Sequence, residues 1–107
     1  MVDYGGYICW SYKLDRLSYI TIQTGDSLEK ICHSLSYNNI KYSAINDTNI
    51  PSDLPSECSS VFGVVYLFNT GRFVILFLNT NGQLFSKMSS GFYDEFNPWY
   101  KIGYYSN

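Results

Sequence analysis

The chain is poor in charge: of 107 residues only 7 are Lys or Arg and 9 are Asp or Glu, 15% in all, for a net of -2. About 25% is usual for soluble domains. The few cations are scattered, which excludes a groove built to replace phosphate counterions, so no nucleic-acid partner is expected. The few carboxylates equally exclude an acidic DNA mimic. Long apolar runs are absent too. The longest, Phe73-Val74-Ile75-Leu76-Phe77-Leu78, is strand-sized and far below the ~18 residues of a membrane-spanning helix, so no membrane partner is expected. Met1-Val2-Asp3-Tyr4-Gly5-Gly6 offers neither a basic nor an apolar leader region, and the expected location is the cytoplasm.

Paired chemistry is also missing. Cys9, Cys32 and Cys58 are odd in number and carry no close spacing, which reads as free thiols in a reducing compartment. With His33 the chain has four residues able to ligate zinc, but no motif spacing joins them, and neither metal nor cofactor is expected. Cys32 and His33 are neighbours, yet on a helix neighbours point about 100° apart and form no nucleophile–base pair. Asp94-Glu95 would project to different sides of an extended segment. Asp47, Asp53 and Glu57 share one polar loop without a calcium-loop pattern. Thr70-Gly71 and Asn81-Gly82 read as turns and not as phosphate loops. The expectation is a protein that is not an enzyme.

What the chain has instead is aromatic mass: 11 Tyr, 7 Phe and 2 Trp, 19% of the residues. Disordered chains are poor in such residues, so this one folds. At 107 residues it is expected to form a single domain spanning 1–107.

Residues 7–14 and 17–22 read as two strands across an Asp15-Arg16 turn, pairing Leu14 with Leu17, Tyr12 with Tyr19 and Trp10 with Thr21. Asp26 then offers an N-cap and Glu29 a capping-box partner. Leu28, Ile31, Cys32 and Leu35 form one helical stripe running to about Ser36. Residues 38–46 suit a short helix through Ile40, Ala44 and Ile45, or a strand through Ile40, Tyr42 and Ala44; the helix is preferred. Residues 47–60, with Pro51 and Pro55, form a loop. Strands follow at 61–68, 73–78 and 83–88, the last pair joined at Asn81-Gly82, and a final strand at 99–105.

The expected fold class is therefore α+β, a mainly antiparallel sheet of five to six strands. One clear helix, with room for a second short one, lies on one face, in the order β-β-α-(α)-β-β-β-β. Its two middle strands are apolar on both sides: Phe62, Val64, Tyr66 and Phe68 against Val61, Val65 and Leu67, then Phe73, Ile75 and Phe77 against Val74, Leu76 and Leu78. Solvated strands alternate apolar with polar, and these do not. The predicted helices shelter one side only, leaving the other to sheet curvature, the aromatic tail or another molecule.

One segment resembles a known family. Ile20-Thr21-Ile22-Gln23-Thr24-Gly25-Asp26-Ser27-Leu28-Glu29-Lys30-Ile31-Cys32 is similar to the opening of lysin-motif (LysM) domains, and Asn46 stands near a position where they commonly carry Asn. The resemblance implies that residues 20–60 bind N-acetylglucosamine polymers, with Gly25, Asp26 and Ser27 near the sugar. It covers under half the chain and stops at Leu54-Pro55-Ser56-Glu57, where the family has a Pro-Gly approach to its closing strand.

The leading expectation is a small intracellular protein-binding domain without catalysis, of the inhibitor, immunity-protein or virus-encoded anti-defence kind. Its partner-binding residues are expected to be Tyr93, Trp99, Tyr100, Tyr104 and Tyr105, because Tyr and Trp bury large areas at small entropic cost. The alternatives are a carbohydrate-binding module and a homo-oligomeric structural subunit, in which the partner is a glycan or the protein itself.

Overall fold

A computed structural model describes residues 17–58, 62–89 and 95–102. It is an α+β fold in which six strands run in sequence order across one sheet: β1 (Leu17–Tyr19), β2 (Asn39–Ile45), β3 (Gly63–Asn69), β4 (Phe73–Asn79), β5 (Leu84–Met88) and β6 (Tyr100–Ile102). One helix, α1 (Leu28–His33), joins β1 to β2, and a 3-10 turn (Ser56–Cys58) precedes β3. The sheet is mixed rather than antiparallel throughout. β1 and β2 are parallel, with Leu17 opposite Ile40 and Tyr19 opposite Tyr42, while each later neighbour pair is antiparallel.

Residues 38–46 are the main correction to the sequence reading: they form a strand and not a helix. Asn38 takes φ +59°, a left-handed conformation that Asn tolerates and that ends helical propagation. Beyond it, β2 is hydrogen-bonded on both edges, to β1 and to β3. That pairing satisfies backbone groups a short isolated helix leaves open at its ends. The expected 7–14 strand, and its pairing with 17–22, lie outside the described residues.

The start of α1 differs by one residue from the expected capping box. Ser27 is the N-cap, its Oγ accepting from Lys30 N at 3.3 Å. The two preceding amides are taken by a residue distant in sequence: Leu28 N and Glu29 N donate to the Asp53 carboxylate at 2.7 and 3.0 Å, and Ser27 Oγ joins it at 3.2 Å. Asp26 instead accepts from Gln23 N at 2.8 Å. Glu29 pairs with Lys87 of β5 rather than closing a box. Loop 46–58 is thus tied to the helix entrance, an attachment extended by Gly25 N to the Ile50 carbonyl and Ser52 N to the Asp26 carbonyl.

The β4–β5 hairpin does turn at Asn81-Gly82, through a three-residue loop rather than the two-residue turn this dipeptide favours. Gly82 alone is left-handed, at φ +78°. Its N–H closes on the Asn79 carbonyl, and the Asn79 side chain accepts from Asn81 N and Gln83 N at 3.0 and 2.9 Å. Gly63 is needed for a different reason. A Cβ there would lie 2.4 Å from the Leu78 carbonyl oxygen and 2.6 Å from the Phe77 ring.

The core of the described residues lies on the helix side. Residues facing each other across paired strands share a sheet face, so the registers place Ile45, Val65, Leu67, Phe73, Ile75, Phe77 and Phe85 together. All are buried, and Leu28 and Cys32 of α1, with Ile22, Leu54 and Cys58, close over them. Burying one such aliphatic or Phe side chain contributes about 1.5–3 kcal/mol.

Candidate functional site: an uncovered aromatic sheet face

Among the described residues, no helix or loop packs over the opposite face as α1 does over the first. Its middle row crosses all six strands, Tyr19–Tyr42–Tyr66–Leu76–Ser86–Tyr100, each member directly opposite the next. A second row runs Leu17–Ile40–Phe68–Val74–Met88, and a third Ala44–Val64–Leu78–Leu84–Ile102. No residue of the three rows is buried, and Tyr19 and Tyr100 at the two ends of the middle row are 56% and 55% exposed.

Aromatic rings organise one half of this surface. Tyr19 meets Tyr42 edge-on at 5.2 Å between ring centroids, Tyr42 stacks on Tyr66 at 6.1 Å, and Phe68 tilts against Tyr66 at 6.5 Å. Such pairs each contribute about 0.5–1.5 kcal/mol beyond area burial, so the rings hold one another in place. A shallow cleft lined by Ala44, Phe62, Val64 and Thr80 opens at one end of the face.

The charge distribution is the reverse of a solvated sheet. An antiparallel sheet covered on one side normally turns its polar residues to water. Among the described residues, the three lysines within strands, Lys41, Lys87 and Lys101, all point to the helix side by register. Lys87 pairs with Glu29, and Lys101 with Glu57 at 3.2 Å. Among the described residues, the three rows of the open face contain no Lys, Arg, His, Asp or Glu.

Of the five expected partner-binding residues the structure describes two, Trp99 and Tyr100, which lie on opposite sides of the sheet. Tyr100 lies on the open face. Trp99, just before the strand, turns to the other side, where its Nε1 donates to the Asp53 carbonyl at 2.8 Å and Lys87 Nζ sits 5.5 Å from its ring. It packs against the core and fastens the C-terminal strand to loop 46–58. Tyr93, Tyr104 and Tyr105 lie outside the described residues. The sequence reading missed Tyr19, Tyr42 and Tyr66 as a set. The signal was the period-two spacing of Ile40, Tyr42 and Ala44, obscured by reading 38–46 as helix.

The thiols are placed for packing. Burial first, then the nearby carboxylates Asp53 and Glu29, push Cys32 up from an ordinary 9.0 to about 12. Burial, with Glu57 adding to it, pushes Cys58 up to about 11. Both stay protonated at neutral pH, whereas a nucleophilic cysteine needs the thiolate. Cys9 lies outside the described residues. His33 is exposed on the flank of α1, its ring edge-on to Phe73 at 4.8 Å and Phe96 at 5.9 Å. Among the described residues no three His, Cys, Asp or Glu side chains converge as metal ligands, and no helix is long and apolar enough to cross a membrane. Gly25, Asp26 and Ser27, which the lysin-motif resemblance sets near a sugar, build the turn and cap that start α1.

Compared with family models, with curated proteins and with solved structures, the chain finds no match in any of the three.

Proposed function

We propose that this chain is a non-catalytic protein-binding domain whose working surface is the uncovered sheet face. The observation that carries this reading is the reversed polarity: three rows of apolar and tyrosine side chains face water while the strand lysines face the helix. Large contiguous apolar patches on soluble domains mark interaction sites, and tyrosine is enriched where binding energy concentrates. The described residues of the face include no cation to meet a phosphate backbone, which favours a protein over a nucleic acid as its partner. An inhibitor, an immunity protein or a virus-encoded blocker of host defence, working inside the cell, is the kind of role a compact adhesive domain fills.

The test is a photo-reactive phenylalanine analogue in place of Tyr66, irradiated in the source cell. Protein-sized adducts are expected at Tyr66 and absent when the same analogue replaces Lys30 on the helix side. Irradiation giving no adduct, or specific retention of the purified domain on chitin abolished by Tyr42→Ala and Tyr66→Ala, overturns the reading. The second result would favour a carbohydrate-binding module, whose supporting observation is the exposed tyrosine row.

A further inference from the structure

Resting on the reading above, we propose that the protein seated on this face is a second copy of the same chain. The two sheets pack face to face about a two-fold axis parallel to the strands. Three observations lead there, and each concerns what a surface must satisfy to be its own partner.

The first is charge. In a two-fold interface each patch meets itself, so any charge near the axis is opposed by its own copy. Burying such like charges unpaired is costly. The described residues of the open face ask for no compensation: its three rows contain no Lys, Arg, Asp or Glu.

The second is relief. The β1–β3 half carries the larger side chains Tyr19, Tyr42, Tyr66 and Phe68, and the β4–β6 half the smaller Val74, Leu76, Leu84 and Ser86, with Tyr100 at its outer edge. An axis along the strands, between β3 and β4, carries each half onto the other. Tyr66 then lies over the partner's Leu76 and Tyr42 over the partner's Ser86, with Tyr19 over the partner's Tyr100 only at the rim. Strand directions stay aligned, as in sandwiches that pack at about 30° with ~10 Å between sheets. An axis across the strands would set ring on ring and leave the two halves with smaller side chains facing a gap, which close packing disfavours.

The third is area. Six strands at ~4.8 Å spacing and about five residues of length at ~3.4 Å, with side-chain overhang, give on the order of 500 Å² per copy. The pair buries roughly 1,000 Å², the level a specific interface must reach.

The experiment uses the full chain, purified, with sedimentation velocity run over two decades of concentration. A monomer–dimer equilibrium is expected. Tyr66→Glu and Leu76→Glu, each present twice in the dimer, should weaken it on the order of 10³-fold, with the circular dichroism spectrum of the dilute monomer unchanged. A second measurement reads the axis. In a Cys9→Ser background, a mixture of Tyr42→Cys and Ser86→Cys chains should cross-link with a short bis-maleimide, and Tyr42→Cys chains alone should not. Self-linking of Tyr42→Cys chains overturns the axis. A monomer at every concentration that still forms adducts with other proteins through Tyr66 overturns the dimer and leaves the binding reading standing. Unfolding of the dilute monomer by Tyr66→Glu would mean the face is closed within one chain, and then both fall.

Discussion

Strand β4 offers the sharpest test of a one-sided core, because consecutive residues sample both faces within one backbone ladder. Phe73, Ile75 and Phe77 are 5%, 0% and 0% exposed, and Leu78 on the other side is 45% exposed. Replacing Ile75 with Ala removes transfer energy and leaves a cavity, a loss of about 2–5 kcal/mol; for Phe77 it is about 3–5 kcal/mol. Full burial of a Leu side chain contributes about 1.5–3 kcal/mol. With nearly half of Leu78 in water and no closed cavity left behind, Leu78→Ala should cost about 1 kcal/mol. An alanine scan from Phe73 to Leu78 should therefore give a two-residue sawtooth in unfolding free energy, read by urea titration with circular dichroism at high dilution. Against a total stability of about 5–15 kcal/mol the difference between neighbours is easily resolved. Equal losses at Ile75, Leu76 and Leu78 in a monomer would refute the reasoning, since they would require a cover on the second face. If losses at Leu76 and Leu78 grow with protein concentration while that at Ile75 does not, the cover is another copy.

Asp53→Ala should destabilise by about 2 kcal/mol, since it strips two helix amides of their acceptor and removes a negative charge from the helix entrance. Asp53→Asn, keeping one acceptor oxygen, should lose about half of that in the same urea titration. Gly63→Ala should cost about 1–3 kcal/mol through overpacking against Leu78 and Phe77, and an unchanged midpoint would mean the β3–β4 ladder shifts freely there. The thiols make a signed prediction about pH. The folded protein keeps the Cys32 and Cys58 protons up to about 12 and about 11, while the unfolded chain releases them from 9.0. The stability they supply is whole below pH 9 and declines as pH rises toward 11, by about 1.4 kcal/mol per pH unit for each thiol. A Cys32→Ala, Cys58→Ala variant should show a correspondingly flatter decline, and an identical slope would show that burial does not hold these protons. At neutral pH both thiols should react with Ellman's reagent only as fast as the protein opens.

Local periodicity was a sound guide wherever the local rule and the tertiary environment agree. The stripe of Leu28, Ile31, Cys32 and Leu35 is the inner side of α1 and the turn after it, with Leu28 and Cys32 buried and Ile31 and Leu35 packed at the margin. The apolar runs of β3 and β4 also stand where their composition puts them. Agreement ended where a partner distant in the chain supplies the hydrogen bonds. Asp53 lies 25 residues beyond Leu28, whose amide it takes, so a rule confined to four consecutive residues finds Asp26 and Glu29 instead. Residues 38–46 carry apolar side chains at both periods, and the tie is broken by two flanking strands that local spacing does not contain.

The amino-acid order alone determined that β3 and β4 are apolar on both sides and that helix is short in supply, because alternation and composition are written residue by residue. Which side would be sheltered was decided only by the tertiary fold. The β1–α1–β2 crossover sets the helix over Val65, Leu67, Ile75 and Phe77, and the registers then turn every tyrosine of the middle row the other way. Since side chains alternate strictly along a strand, seating one face inward commits the other outward. The same alternation parts Tyr100 from Lys101, adjacent in the chain but on opposite sides of the sheet.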